Sequence, residues 1–108
     1  MTRYTAGLLI ILTASSMLSA CSWVKITESG KRVTLNYYEQ VTNCQKLGYT
    51  RSVVLDKIGF FKRNARTMTE ELVMLAQNEA ALMGGNTIVA RGPVKEGEMV
   101  FDVYWCQP

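Results

Sequence analysis

Apolar and polar residues alternate at period two in four stretches of the chain, each reading as a half-buried strand. From Arg32 to Val41, Val33, Leu35, Tyr37 and Glu39 fall on one face, against Thr34, Asn36, Tyr38 and Gln40. Leu47 to Leu55 gives a second strand, Thr87 to Arg91 a third and Glu98 to Cys106 a fourth. In the last, Met99, Phe101, Val103 and Trp105 oppose Val100, Asp102 and Tyr104. Between the second and third strands the period changes to that of a helix. Met68, Leu72, Leu75, Ala76, Ala80 and Met83 form one stripe at 3.6 residues per turn. Glu79 projects into that stripe, as a buried carboxylate or as a rim residue whose head stays in water or pairs with a strand cation, whereas Glu70, Glu71, Gln77 and Asn78 lie outside it. Thr67-Met68-Thr69-Glu70 has the form of a capping box, which predicts a helix opening at Thr67. Gly84 stands where a left-handed C-cap is wanted. The order is ββαββ, an α+β fold with one helix on one face of a mostly antiparallel four-stranded sheet.

A different pattern precedes all of this. Arg3 is followed by an apolar run that starts at Ala6 and continues through small residues to Leu18. The run is short for a membrane-spanning helix and is interrupted by Thr13, Ser15 and Ser16, so it reads as an export signal. Leu18-Ser19-Ala20-Cys21 ends it and looks like a bacterial lipobox, in which the cysteine after the cut is acylated. The expected division is a signal peptide over 1–20, a lipidated tether over 21–31 and a single domain over 32–108. Ser22 is not the aspartate that retains enterobacterial lipoproteins at the inner membrane. The expected location is therefore the periplasmic side of the outer membrane.

Charge and cysteines narrow the chemistry. The formal charge is +3 for the whole chain, and removal of Arg3 lowers it by one, too mild to imply nucleic acid. Histidine is absent, which removes the commonest general base and the commonest metal ligand. With Cys21 acylated, Cys44 and Cys106 remain in an oxidising compartment, and a structural disulfide between them is the economical reading. A redox pair would call for a close Cys-x-x-Cys at a helix start, which these distant residues do not form. Glu96, Glu98 and Asp102 are the densest acidic group, and their spacing fits no calcium loop. No enzyme activity, cofactor or metal is expected.

Three segments carry a resemblance. Cys44-Gln45-Lys46-Leu47-Gly48, the helix exit Asn78-Glu79-Ala80-Ala81-Leu82-Met83-Gly84-Gly85-Asn86, and Val103-Tyr104-Trp105-Cys106 resemble small bacterial lipoproteins of the YjeI type. That family is of uncharacterised function. In layout it is distantly similar to the sensor domain of the stress lipoprotein RcsF. This chain departs from RcsF in having one disulfide pair and no long proline-rich tether.

Asp56 to Arg66 reads as a loop and is the most suggestive surface. It interleaves Phe60 and Phe61 with Lys57, Lys62, Arg63 and Arg66. Aromatics beside cations suit a headgroup interface or a partner groove. The competing expectation is that the aromatics fold back onto the helix. Gly84-Gly85-Asn86 could form an anion nest, but a helix C-terminus carries the wrong partial charge, and a cap is the simpler reading. The function expected from sequence is a small non-enzymatic binding domain held at the membrane by its lipid. Its contacts would be an envelope protein, an anionic lipid or a glycan. The alternative is a sensor or adaptor of the RcsF kind on an outer-membrane protein.

Overall fold

The computed structural model describes residues 24–108. It contains β1 (Thr34–Leu35), β2 (Gln45–Val53), β3 (Lys57–Ile58), β4 (Phe61–Lys62), α1 (Ala65–Leu82), β5 (Thr87–Ala90) and β6 (Glu98–Trp105). β1, β5, β6 and β2 lie side by side in that order. The β1–β5 pair is parallel, and the other two pairs are antiparallel. The domain is thus α+β, with one helix on a mostly antiparallel four-stranded sheet. β3 and β4 form a separate hairpin.

The helix and one sheet face enclose the core. Met68, Leu72, Ala76 and Ala80 of α1 meet Ile88 of β5 and Met99, Phe101 and Val103 of β6, with Val33 closing one side. The alternation in β6 therefore reports the sheet faces faithfully up to Val103, and Trp105 at its end is exposed.

Three elements differ from the sequence expectation. The first strand is paired over two residues only, Thr34 and Leu35 against Thr87 and Ile88 of β5. Beyond Asn36, whose N–H donates to the Ile88 carbonyl, no ladder remains. The chain instead forms a 3₁₀ turn at Tyr38–Gln40, held by the Tyr37 N–H on the Gln40 side-chain carbonyl. The helix starts before Thr67: Asn64 is the N-cap, its Oδ1 accepting from the N–H groups of Arg66 and Thr67. Asn is as good a cap as Thr, and the earlier start adds most of a turn. Glu79 is exposed, whereas Glu71 is buried.

The helix exit is a Schellman cap. Gly84 donates to the Ala81 carbonyl and Gly85 to that of Ala80, with Gly84 at φ 83°. Asn86 then clamps the last strand, its side chain donating to the Cys106 carbonyl and accepting from the Cys106 N–H. The segment Gly84–Asn86 is therefore a cap and a strap.

Residues 25–31 are docked onto α1. Asn78 donates to the Lys25 carbonyl and accepts from the N–H and hydroxyl of Thr27. Within residues 24–108 the helix, the four-stranded sheet, their shared core and the disulfide make a self-contained α+β unit.

Candidate interaction surface

The segment expected to be a loop is a built hairpin. Lys57 pairs with Lys62 and Ile58 with Phe61, around a turn made by Gly59 and Phe60. Gly59 sits at φ 62°, a left-handed conformation that glycine adopts without strain. Paired residues project to the same side, so the hairpin has a cationic face and an apolar one. Phe60 is 102% exposed and Phe61 81% exposed, which decides against their folding back onto the helix. Ile58 and nearby Leu55 are also more than half exposed.

A buried ion pair fixes the stem. Arg63 Nη2 lies 2.7 Å from Glu71 Oε1, with both side chains about nine-tenths buried. Arg63 Nη1 also donates to the Leu55 carbonyl, and the Arg63 N–H donates to the Asp56 carbonyl. These bonds close the segment at both ends. Among the cations named from sequence, Arg63 is thus a stem residue and does not belong to the exposed surface. Lys57 and Lys62 are exposed on the hairpin, and Arg66 stands on the first turn of α1, 3.5 Å from Glu70.

The second polar cluster lies on the sheet face away from the helix. Asp102 is 4% exposed, yet it receives four donors. Tyr38 Oη donates to Oδ2 at 2.7 Å. Arg91 Nε and Nη2 donate to Oδ1 at 3.0 and 2.8 Å, and Lys46 Nζ lies 3.4 Å from the same oxygen. Burial alone would raise the Asp102 pKa; the bonds from Arg91, Tyr38 and Lys46 outweigh it and hold the carboxyl below its ordinary value. The bond to Asp102 pushes the Tyr38 phenol up to about 12. Arg91 also stands 5.0 Å from the centre of the Tyr49 ring, a cation–π contact. Sequence reading missed this cluster. Asp102 looked like an outward polar residue of an alternating strand, and no local signal links it to Tyr38.

The acidic group Glu96, Glu98 and Asp102 does not converge on a ligand, because Asp102 is held as described and Glu98 pairs with Arg51 at 3.0 Å. Among the described residues no three acidic, cysteine or histidine side chains are placed to hold a metal. A cleft of about 260 Å³ lies between the Tyr38–Gln40 turn and β5, lined by Leu35, Tyr37, Tyr38 and Val89. Cys44 and Cys106 are bonded to each other. Cys21, the lipidation candidate, lies outside the described residues. No helix among the described residues is long and apolar enough to cross a membrane.

A family model, described as a domain of unknown function, DUF4156, matches residues 24–106. The chain belongs to the DUF4156 family. The matched span begins at Val24, just before the docked segment, and ends at Cys106, so the family's domain includes residues 24–31 as well as the sheet and helix. No curated protein and no solved structure matches the chain.

Proposed function

We propose that this DUF4156 protein is an envelope lipoprotein, anchored through an acylated Cys21 on the periplasmic side of the outer membrane, whose domain is a non-enzymatic interaction module. The observation that carries the reading is the Phe60–Phe61 hairpin. Folding normally hides large aromatics, and here two are held fully outward on a stem fixed by a buried ion pair. The absence of histidine and the occupation of Asp102 by structural partners support a role other than catalysis.

The test has two parts. Cys21→Ser should leave an uncleaved, unlipidated precursor, and normal maturation with normal membrane fractionation of that variant would sink the anchor. A photo-crosslinking residue in place of Phe60, activated in intact envelopes, should capture lipid or one defined envelope component. Capture of nothing would sink the interaction module.

An adaptor role on an outer-membrane protein has its own support in β2. This nine-residue strand is at the edge of the sheet among the described residues. Val54 donates inward to Gly97, so the alternate residues Tyr49, Arg51 and Val53 turn their backbone groups outward. Such an edge can accept an added strand. A crosslinker in place of Arg51 would capture a protein under this reading and only background under the first.

A further inference from the structure

Two anchors meet on one stripe of α1. Glu71 holds the hairpin stem through Arg63, and Asn78 holds Lys25 and Thr27. Seven residues apart on a helix, they sit within about 20° of each other around the axis and roughly 10 Å apart along it. Cys21 is four residues from Lys25, a reach of at most about 14 Å. A lipid on Cys21 would therefore bring the surface it enters up to the side of α1 from which the hairpin projects.

The hairpin's chemistry fits such a surface. Lys57 and Lys62 are direct cross-strand partners, and like charges placed opposite each other are destabilising unless an anion stands between them. No described side chain supplies one, since neither lysine has an ion pair. The opposite face offers Ile58 and Phe61, and Phe60 stands at the tip. Apolar tip, aromatic rim and paired cations are the parts of an interfacial anchor.

We infer that the hairpin is a second membrane anchor. Phe60 and Phe61 enter the boundary between headgroups and acyl chains of an anionic phospholipid leaflet, Lys57 and Lys62 bind its phosphates, and α1 lies along the surface. The inference rests on the lipoprotein reading for its orientation, but binding by the hairpin itself does not require the lipid on Cys21. Two or more acyl chains on Cys21 would hold the protein at the membrane; the hairpin would stop it from swivelling and fix which face looks into the periplasm.

The experiment uses residues 24–108 without the lipid, oxidised, with sedimentation on two kinds of vesicle: neutral phosphatidylcholine, and the same lipid with a quarter phosphatidylglycerol. The domain should bind the anionic vesicles at least about tenfold better than the neutral ones. Binding should fall steeply by 0.5 M salt. Lys57→Glu with Lys62→Glu should abolish the anionic preference. Phe60→Ser with Phe61→Ser should lower binding to anionic vesicles about tenfold or more while leaving the thermal midpoint unchanged, since neither ring is in the core. Equal binding to both vesicles, no binding, or wild-type binding by the lysine variant would overturn the inference. Loss of the thermal transition in the phenylalanine variant would overturn it too, because the rings would then belong to the fold. Failure here together with protein capture by a Phe60 crosslinker would leave the interaction module standing with a protein as its occupant; failure of both would remove both.

Discussion

Asp102 shows how one residue can be neutral to the sequence pattern and central to the structure. Its carboxylate gathers Tyr38 from the 3₁₀ turn, Arg91 from the end of β5 and Lys46 from β2. The turn after β1 has no ladder, so the Tyr38 bond is a main tie to the sheet. Asp102→Asn should destabilise the domain by about 2–3 kcal/mol at pH 7, measured by urea unfolding, since a buried charge-assisted site loses its charge while its donors remain. The pH dependence has a sign. Because the folded pKa of Asp102 is depressed, its stabilisation is present above the ordinary value of 3.8 and disappears as acid protonates the folded carboxyl. The phenol runs the other way. Raised from 10.0 to about 12, Tyr38 contributes stability below pH 10 that is lost between pH 10 and about 12. Tyr38→Phe should flatten that alkaline limb, and the phenolate absorbance that titrates at about 12 should vanish from the spectrum.

At the scale of elements, the hairpin and the helix are one unit. Arg63 and Glu71 lie mostly out of water, so removing one leaves the other charge buried without its partner. Glu71 Oε2 has no hydrogen-bond partner even in the intact pair, which makes the Arg63 bond to Oε1 the more necessary. Arg63→Ala should therefore cost about 3 kcal/mol and release the stem. Amide exchange of residues 57–62 should rise far more than that of β5 and β6. Uniform loosening of the whole domain would show that the hairpin is not a separately anchored element. Here sequence reading was right about composition and wrong about shape. Lys57 to Lys62, with one lysine at each end and three apolar side chains between them, is too short for a periodicity argument, and the turn signal was a single Gly59.

The whole molecule is closed at its far end by the bond between Cys44 and Cys106, 62 residues apart. It ties the start of β2 to the end of β6, the two strands that share the longest pairing in the sheet. A loop of this length contributes about 4 kcal/mol in the chain-entropy account. Cys44→Ala with Cys106→Ala should lower the unfolding free energy by about that amount and the urea midpoint with it, with the hairpin's vesicle binding preserved at low denaturant. An unchanged midpoint would mean that the clamp by Asn86 on Cys106 and the β2–β6 ladder suffice without the bond. Under the proposed anchoring, α1 along the surface would leave the sheet's other face, with Asp102, Arg91 and Tyr49, away from the membrane.

The sequence by itself determined what local patterns can encode. Period two in β6 and period 3.6 in α1 specify which faces are buried, because a side chain's direction follows from backbone geometry alone. Gly84 announces the end of the helix, since a left-handed cap favours a residue without Cβ. Cysteine arithmetic pointed to the Cys44–Cys106 pair from compartment and count. Only the tertiary structure decided the rest. Arg32 to Val41 alternates from Val33 to Tyr37, yet only Thr34 and Leu35 pair with β5, because ladder hydrogen bonds need a partner and not a pattern. Glu71 and Glu79 are both acids on one helix, and which is buried depends on where Arg63 lies. Residues 25–31 look like a tether until Asn78 is folded opposite them. Each of these outcomes turns on a contact between residues distant in the chain, and the pattern along a single strand or helix holds no record of such contacts.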